Sequence, residues 1–221
     1  MITMRSQLGS TSAAATRAAI GFRAPLESYD ATTESLLHKA GIRYHLADPS
    51  RSEGQLPLFA PMRGVAERDE LLVIPRTQPD DINLLAAEPG AAPLLSRLTT
   101  ELNETVRYGG LGVLSLHSQN FAAGSPLEVA VRALIPDLRS RRDAKLLWVA
   151  SGRDIDAWWR ERRRVKVSKN IRGGGLEMNV SVQGSTPVRG VSVVVTMPNR
   201  RMSTEVRNTK VGQKLPTVRH I

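Results

Sequence analysis

The stretch Gly21-Phe22-Arg23-Ala24-Pro25 marks the end of an apolar strand and the start of a loop. Proline cannot donate to a sheet ladder and keeps the residue before it extended, so the strand is predicted to end here. Asp30 is a good helix N-cap and Gly41 a good helix stop, which predicts a helix between them. Ile42 to Leu46 has the composition of a second strand. This part of the chain is therefore predicted to run strand, helix, strand.

The segment that follows is predicted to consist mainly of loops around one buried strand. Residues 48 to 68 have the proline and glycine content of an irregular loop. Leu71-Leu72-Val73-Ile74 is a short apolar run that stops at Pro75, as expected of a buried strand. A second loop, rich in Pro and Asp, is predicted to extend to about Leu84.

The remaining apolar segments continue the alternation of predicted strands and helices. Further helices are predicted over 93–106, from Ser125 and from Ser151, and further strands over Gly112–Leu116 and Lys145–Val149. Pro136 is expected to kink or restart the helix that begins at Ser125. Short apolar strands that alternate with helices are typical of a parallel α/β sheet or barrel.

The pattern changes after Arg164, where apolar and polar residues begin to alternate with period two. The alternating apolar positions are Leu176, Met178, Val180, Val182, Val191, Val193, Val195 and Met197. This period indicates a small antiparallel β region. We therefore predict an α/β domain over residues 1–164 and a basic, β-rich appendage over 165–221.

Positive charge is concentrated in the C-terminal part. The chain has 31 Lys and Arg against 21 Asp and Glu, a net charge of +10. From Arg160 to Ile221 there are 14 Lys and Arg against 3 Glu. Such asymmetry suggests an anionic partner, which could be an acidic glycan, a membrane surface or nucleic acid, with the run Arg160–Lys169 as the candidate contact.

Composition also excludes several classes of protein. The chain has no cysteine, so thiol chemistry, disulfides and Cys-type zinc sites are ruled out. No apolar run approaches the roughly 20 residues needed to span a bilayer. The sequence predicts a soluble protein, and both the cytoplasm and the bacterial envelope are compatible with it.

Two side chains at predicted strand ends are the best candidates for chemistry. Arg23 precedes the proline that ends the first strand, and His117 follows the apolar run Gly112–Leu116. In α/β folds, side chains at the carboxyl ends of strands face the usual ligand region. An imidazole there suits a general acid. The alternatives are a surface arginine and a structural histidine.

The order of three stretches resembles the back half of a polysaccharide deacetylase catalytic domain. They are Gly21-Phe22-Arg23-Ala24-Pro25 with Tyr29-Asp30, Ala40-Gly41-Ile42-Arg43-Tyr44, and Gly112-Val113-Leu114-Ser115-Leu116-His117-Ser118. The resemblance covers about residues 15 to 160. It implies a partial distorted parallel β/α barrel without its opening strands. It also implies metal-dependent hydrolysis of the carbon–nitrogen amide bond of N-acetylated amino sugars in a glycan substrate.

The resemblance implies a role for each matching residue. Arg23 would pair with a catalytic base, and Pro25 would be followed by a residue whose backbone N–H holds the oxyanion, here Leu26. Leu116 would line the pocket for the acetyl methyl group, and His117 would protonate the departing amine. The family has an aromatic residue where this chain has Leu26, but a backbone donor does not depend on the side chain.

The resemblance also implies a divalent metal, normally zinc, held by one Asp and two His upstream of the Arg-x-Pro stretch. This chain is expected to begin after those ligands, and no ligand set is found in it. Asp80-Asp81 is rejected as an equivalent, because it follows Arg-x-Pro and no His-x-x-x-His completes it; a solvated loop or helix cap is expected instead. His38 and His45 are expected to be structural or exposed.

Two other functions remain open besides a deacetylase. One is a non-catalytic glycan-binding protein, and the other binds an anionic polymer through Arg160–Lys169. Trp148 is expected in the core, with Trp158 and Trp159 packed against the β appendage. A partial barrel would have an open edge, which a partner is expected to cover.

Overall fold

The computed structural model describes residues 19–47, 56–172, 175–188, 191–197 and 200–206, and within them the fold is mixed α/β. The strands are β1 (Gly21–Arg23), β2 (Tyr44–Ala47), β3 (Leu58–Ala60), β4 (Leu71–Pro75), β5 (Val165–Arg172), β6 (Gly175–Val182), β7 (Val191–Met197) and β8 (Arg200–Val206). The helices are α1 (Ala31–Lys39), α2 (Asp81–Ala87), α3 (Ala91–Tyr108), α4 (Pro126–Asp143) and α5 (Gly152–Arg163).

The central sheet has the strand order β1-β2-β4-β3 and is not closed. Strands β1, β2 and β4 are parallel, and β3 is antiparallel to β4. Every residue of β4 is buried, as expected of a central parallel strand with both faces covered. The carboxyl ends of β1 and β4 therefore lie at the same edge of the sheet, on either side of β2.

The helix boundaries that depend on local chemistry are confirmed. The Asp30 side chain accepts a hydrogen bond from Thr33 N at 2.8 Å and begins α1. Gly41, just after α1, has a φ of +76°, which only glycine adopts at no steric cost. Ser151 and Asp154 form a capping box at the start of α5.

Two elements lie in segments that were predicted to be loops. Strand β3 falls within the segment expected to be irregular, and three residues are too short to show a period in the sequence. Helix α2 begins inside the Pro- and Asp-rich segment, with Asp80 as its N-cap accepting from Asn83 N at 2.8 Å. The helix-cap interpretation of Asp80 is therefore correct, whereas the expected loop up to Leu84 is wrong.

Two predicted strands are absent from the sheets that the described residues form. In the segment Gly112–Leu116, the carbonyl of Val113 accepts from Thr77 N and Gln78 N, both at 3.3 Å, and the Ser115 carbonyl accepts from Asp81 N at 3.1 Å. These contacts attach the segment to the chain after β4 rather than to a strand. The apolar composition of this segment indicates extended backbone, but composition alone does not show whether another strand pairs with it.

Most residues of the second such segment, Lys145–Val149, are exposed. Lys145 has a left-handed φ of +59°, and Leu146 N donates to the carbonyl of Arg141 at the end of α4. Trp148 is 57% exposed, so its predicted place in the core is wrong. The segment has the composition of a buried strand, but it pairs with no strand in the described part of the chain.

The main apolar core lies between α2, α3 and α4. Its buried members are Leu84, Leu94, Leu98, Leu102, Ala130 and Leu134. Helix α4 continues through Pro136 as one element, so the expected restart does not occur. No helix among the described residues combines the length and apolar character needed to cross a membrane.

Tyr44 packs β1 and α5 against β2. Its ring lies 2.3 Å from the position that a Cβ on Gly21 would take and 2.6 Å from that on Gly152. Real side chains do not tolerate such distances, so both positions require glycine while Tyr44 holds this place.

The chain after α5 forms antiparallel hairpins. Strand β5 pairs with β6, and β7 with β8, as the period-two pattern predicted for an antiparallel β region. Val180, Val182 and Val188 are buried together and pack against Val165. The basic run Arg160–Lys169 spans the end of α5 and the start of β5.

Candidate functional site

The pair of side chains best suited to proton transfer is His117 and Asp81. Nδ1 of His117 lies 2.5 Å from Oδ1 of Asp81. A carboxylate can only accept, so Nδ1 carries the proton and donates it to this hydrogen bond. The ring of His117 is 38% exposed, and its other nitrogen, Nε2, is left to exchange a proton with a ligand.

Asp81 accepts further hydrogen bonds through its second oxygen. The backbone N–H of His117 donates to Oδ2 at 2.6 Å, and the side-chain amide of Asn120 donates at 3.2 Å. Burial would raise the pKa of Asp81, but hydrogen bonds from the His117 ring, the His117 backbone and Asn120 together hold that pKa below its usual range. The carboxylate is therefore ionised at neutral pH, and it sets the orientation of the imidazole.

Local structure explains why Asp81 and His117 meet. Asp81 is the first residue of α2, directly after its N-cap, where partial positive charge favours a carboxylate. The Ser115 carbonyl accepts from Asp81 N, which aligns the two segments two residues before His117. Asp81 is fully buried, so the solvated position expected for it is wrong.

A second charged cluster lies at the ends of β1 and β4. Arg23 Nη2 donates to Glu27 Oε1 at 2.6 Å. Arg76, the residue after β4, donates from Nε to the two carboxylate oxygens of Glu27 at 3.2 and 3.3 Å. Arg23 is therefore paired with a carboxylate of its own loop, and no hydrogen bond or ion pair among the described residues connects it to His117.

The turn between Arg23 and Glu27 is strained. Leu26 and Glu27 both have left-handed φ angles, of 55° and 53°. Residues with a Cβ pay about 1–2 kcal/mol each for this conformation. Strain of this kind collects at functional sites. Pro25 is exposed, and the Leu26 side chain is 99% exposed.

The backbone N–H of Leu26 makes no hydrogen bond within the described part of the chain. It remains available as a donor to a ligand. The predicted site residues Arg23, Pro25 and Leu26 thus lie in one loop, whereas Leu116, which is 40% exposed, lies next to His117 in another.

The described residues do not fit a divalent metal. No group of three or more His, Asp or Glu side chains comes together among them. Asp81 and His117 are bonded to each other, and His45 is fully buried in β2, 3.8 Å from Glu34 and edge-on to Tyr29. His45 is structural, as expected, and it adds no ligand to the pair of Asp81 and His117.

The aromatic residues and the basic run form a different region. The rings of Trp148 and Trp158 lie 6.1 Å apart, those of Trp158 and Trp159 5.0 Å apart, and the Arg162 guanidinium lies 4.9 Å from the Trp159 ring. Trp158 and Trp159 are partly buried. No hydrogen bond, ion pair or ring contact found among the described residues joins this region to the His117 and Asp81 pair.

Most of the arginines in Arg160–Lys169 are bound within the chain. Arg160 pairs with buried Asp156 at 2.8 Å, and Arg163 with Glu70 at 2.8 Å. Arg164 pairs with Glu161 at 2.6 Å. A cavity of about 260 Å³ is lined by Phe59, Glu67, Arg160, Glu161, Arg163, Arg164 and Gln183. An anionic polymer at this cavity would have to compete with these carboxylates.

Sequence reasoning did not identify Asp81, Glu27 or Arg76 as functional. Asp81 was rejected as a metal ligand and expected in a solvated loop or helix cap, and its partner lies 36 positions away in the sequence. Arg76 follows the proline that ends β4, and Arg23 lies two residues before the proline that follows β1. A position next to a strand-ending proline was the one available signal. Comparison of the chain with protein-family models, curated proteins and solved structures finds no match.

Proposed function

We propose that this chain carries the proton-transfer part of a hydrolase that acts on the amide bond of N-acetylated amino sugars in a glycan. The observation that carries the proposal is the 2.5 Å contact between His117 Nδ1 and a buried, ionised Asp81. This contact leaves Nε2 as the nitrogen that delivers a proton to the departing amine. Asp81 does not touch the substrate and acts as a positioning residue.

The other roles follow from the sequence resemblance and are part of the same proposal. The free N–H of Leu26 donates to the oxygen of the acetyl group as negative charge develops on it. The exposed Leu116 beside His117 contacts the acetyl methyl group. The open sheet corresponds, in this proposal, to part of a distorted β/α barrel whose exposed edge a partner covers.

The proposal assigns no metal ligand to the described residues, among which no three His, Asp or Glu side chains come together. A non-catalytic glycan-binding protein would use the same exposed residues, Leu26 and Leu116, without turnover. Binding and turnover must therefore be measured separately.

The test follows the full chain by NMR while an N-acetylglucosamine oligosaccharide is added, and measures acetate release in a parallel assay. The His117 ring and Leu26 amide resonances should shift together with one dissociation constant. Acetate release should fall by about 10²-fold or more in His117→Ala, because a positioned general acid contributes at least that factor. The matched control is His38→Ala, a histidine within α1.

The outcomes separate the alternatives. Release that depends on His117 but not on His38 supports the hydrolase. Binding at Leu26 and His117 without release would leave the glycan-binding function in its place. No shift of either resonance would contradict both.

A further inference from the structure

The Arg23, Arg76 and Glu27 cluster has the chemistry of an anion site that is filled by a residue of its own chain. Two guanidinium groups converge on one carboxylate, at distances of 2.6 to 3.3 Å. Guanidinium forks match the planar geometry of a carboxylate, and arginine is favoured where that geometry is recognised. The cluster holds two cations against one anion, so one positive charge is in excess.

Different secondary-structure elements supply the two halves of the cluster. Arg23 ends β1 and Arg76 follows β4, so the parallel sheet fixes the spacing of the two cations. Arg76 is further held by its Nη1, which donates to the carbonyl of Gln78 at 3.2 Å. Glu27, in contrast, lies in a short turn and is free of the sheet.

Glu27 reaches the cluster only through a strained backbone. Both it and Leu26 have left-handed φ angles, which residues with a Cβ avoid. Release of Glu27 would let this turn relax, while the arginines would remain in place. The side chains of Arg23 and Glu27 are 34% and 15% exposed, so solvent can reach the cluster without opening the core.

We infer that Arg23 and Arg76 form a binding site for a carboxylate group, and that Glu27 occupies it as a competing internal ligand. The carboxylate comes either from a small free acid or from a uronic acid unit of an acidic glycan, since both present the same group. Binding releases Glu27 into solvent and forms or breaks no covalent bond. No hydrogen bond or ion pair among the described residues joins this site to His117 or Asp81, and the inference does not depend on the proposed hydrolysis.

The test titrates the full chain with sodium acetate and with an oligogalacturonate at constant ionic strength, and follows the arginine Nε–Hε signals by NMR. Glu27→Gln removes the competing charge and keeps the size of the side chain. It should tighten the binding of both ligands by about fivefold or more, because an internal competitor lowers apparent affinity by the fraction of sites it fills. Glu104→Gln, an exposed glutamate on α3, is the control for loss of one negative charge and should bind as the wild type does.

Arg76→Gln in the Glu27→Gln background should weaken binding by about fivefold or more, since one of the two cations is lost. Tighter binding of the oligogalacturonate than of acetate by Glu27→Gln would assign the site to an acidic glycan, and equal affinities would assign it to a free acid. Either result supports the inference. If Glu27→Gln binds neither ligand more tightly than Glu104→Gln does, the inference is wrong.

Discussion

Asp81 connects the stability of this protein to the geometry of its candidate site. It is fully buried, yet its pKa stays low because two donors of His117 and the amide of Asn120 bind its oxygens. Because all these hydrogen bonds are made, the Asp81 carboxylate fixes the position of the His117 ring. A buried donor or acceptor without a partner would instead lower the free energy of unfolding by about 1–3 kcal/mol. The orientation of His117 therefore depends on a residue that no ligand touches.

Asp81→Asn should reduce both the free energy of unfolding and its dependence on pH. A carboxylate whose pKa is lowered by folding contributes stability above its ordinary value, 3.8 for Asp81, and loses it as the pH falls below that value. In the wild type, unfolding in urea should become easier from about pH 4 downward, and this dependence should be flatter in Asp81→Asn. At neutral pH the variant should lose about 1–3 kcal/mol.

The control is Asp80→Asn, because asparagine caps a helix as well as aspartate does and the contact to His117 is kept. This variant should retain the acid dependence of the wild type. Equal flattening in both variants would show that the Asp81 contact does not carry the effect.

The basic C-terminal end of helix α5 contacts the segment that precedes β4. Arg163 pairs with Glu67 and Glu70, each at 2.8 Å, and its guanidinium lies 4.3 Å from the Phe59 ring of β3. Arg160 adds a hydrogen bond to the carbonyl of Glu70 at 3.0 Å. A run of basic residues that suggests a polymer-binding face thus attaches α5 to its neighbours.

Arg163→Ala should destabilise the protein more than Arg162→Ala does. The first variant loses two ion pairs, one with a largely buried carboxylate, and a contact to an aromatic ring, and we expect about 1–2 kcal/mol. Arg162 is exposed and contacts only the indole rings of α5 in the described residues, so about 0.5 kcal/mol is expected. Urea unfolding followed by circular dichroism measures both.

If the two variants lose equal stability, the basic end of α5 does not serve as an attachment. If Arg162→Ala loses more, the stacking on Trp159 outweighs the ion pairs of Arg163. After either result, Arg160–Lys169 would again be a candidate contact for an anionic polymer.

At the scale of the whole molecule, the apolar segment between α4 and α5 is exposed to solvent. Leu146, Trp148 and Val149 are 64%, 57% and 56% exposed, and the central sheet is open. Exposed apolar side chains that are near neighbours in the chain favour association with another chain. A second copy of the chain packed on this segment would remove these side chains from water.

Trp148→Ser should weaken self-association of the purified protein. Sedimentation velocity over increasing protein concentration should show the wild type shifting to faster species, and the variant should need about tenfold higher concentration for the same shift, since burial of a large aromatic side chain contributes more than about 1.4 kcal/mol. The control is Ile82→Ser, which removes an isoleucine of α2 that is 54% exposed. A monomeric wild type at every concentration would contradict the prediction.

Sequence reasoning succeeded where the cause is local. The caps at Asp30 and Ser151, the glycine stops and the apolar periods of α3 and α4 depend on residues a few positions apart, and the structure has them as expected. It failed at β3 and at the two predicted strands, because the pairing of strands depends on segments that are distant in the sequence. It also failed at α2, which begins inside a segment that was predicted to be a loop. At the candidate site it identified Arg23 and His117 but not their partners.

The amino-acid sequence alone determined the mixed α/β class and the change to antiparallel hairpins after α5. Hydrophobic period and capping act over a few residues, so they can be seen in the order of the residues. Only the tertiary structure decided that Asp81 holds His117, that Glu27 fills the space between Arg23 and Arg76, and that Trp148 stays exposed. These pairings join residues up to 49 positions apart, and contacts between charged groups form only after packing has brought their backbones together.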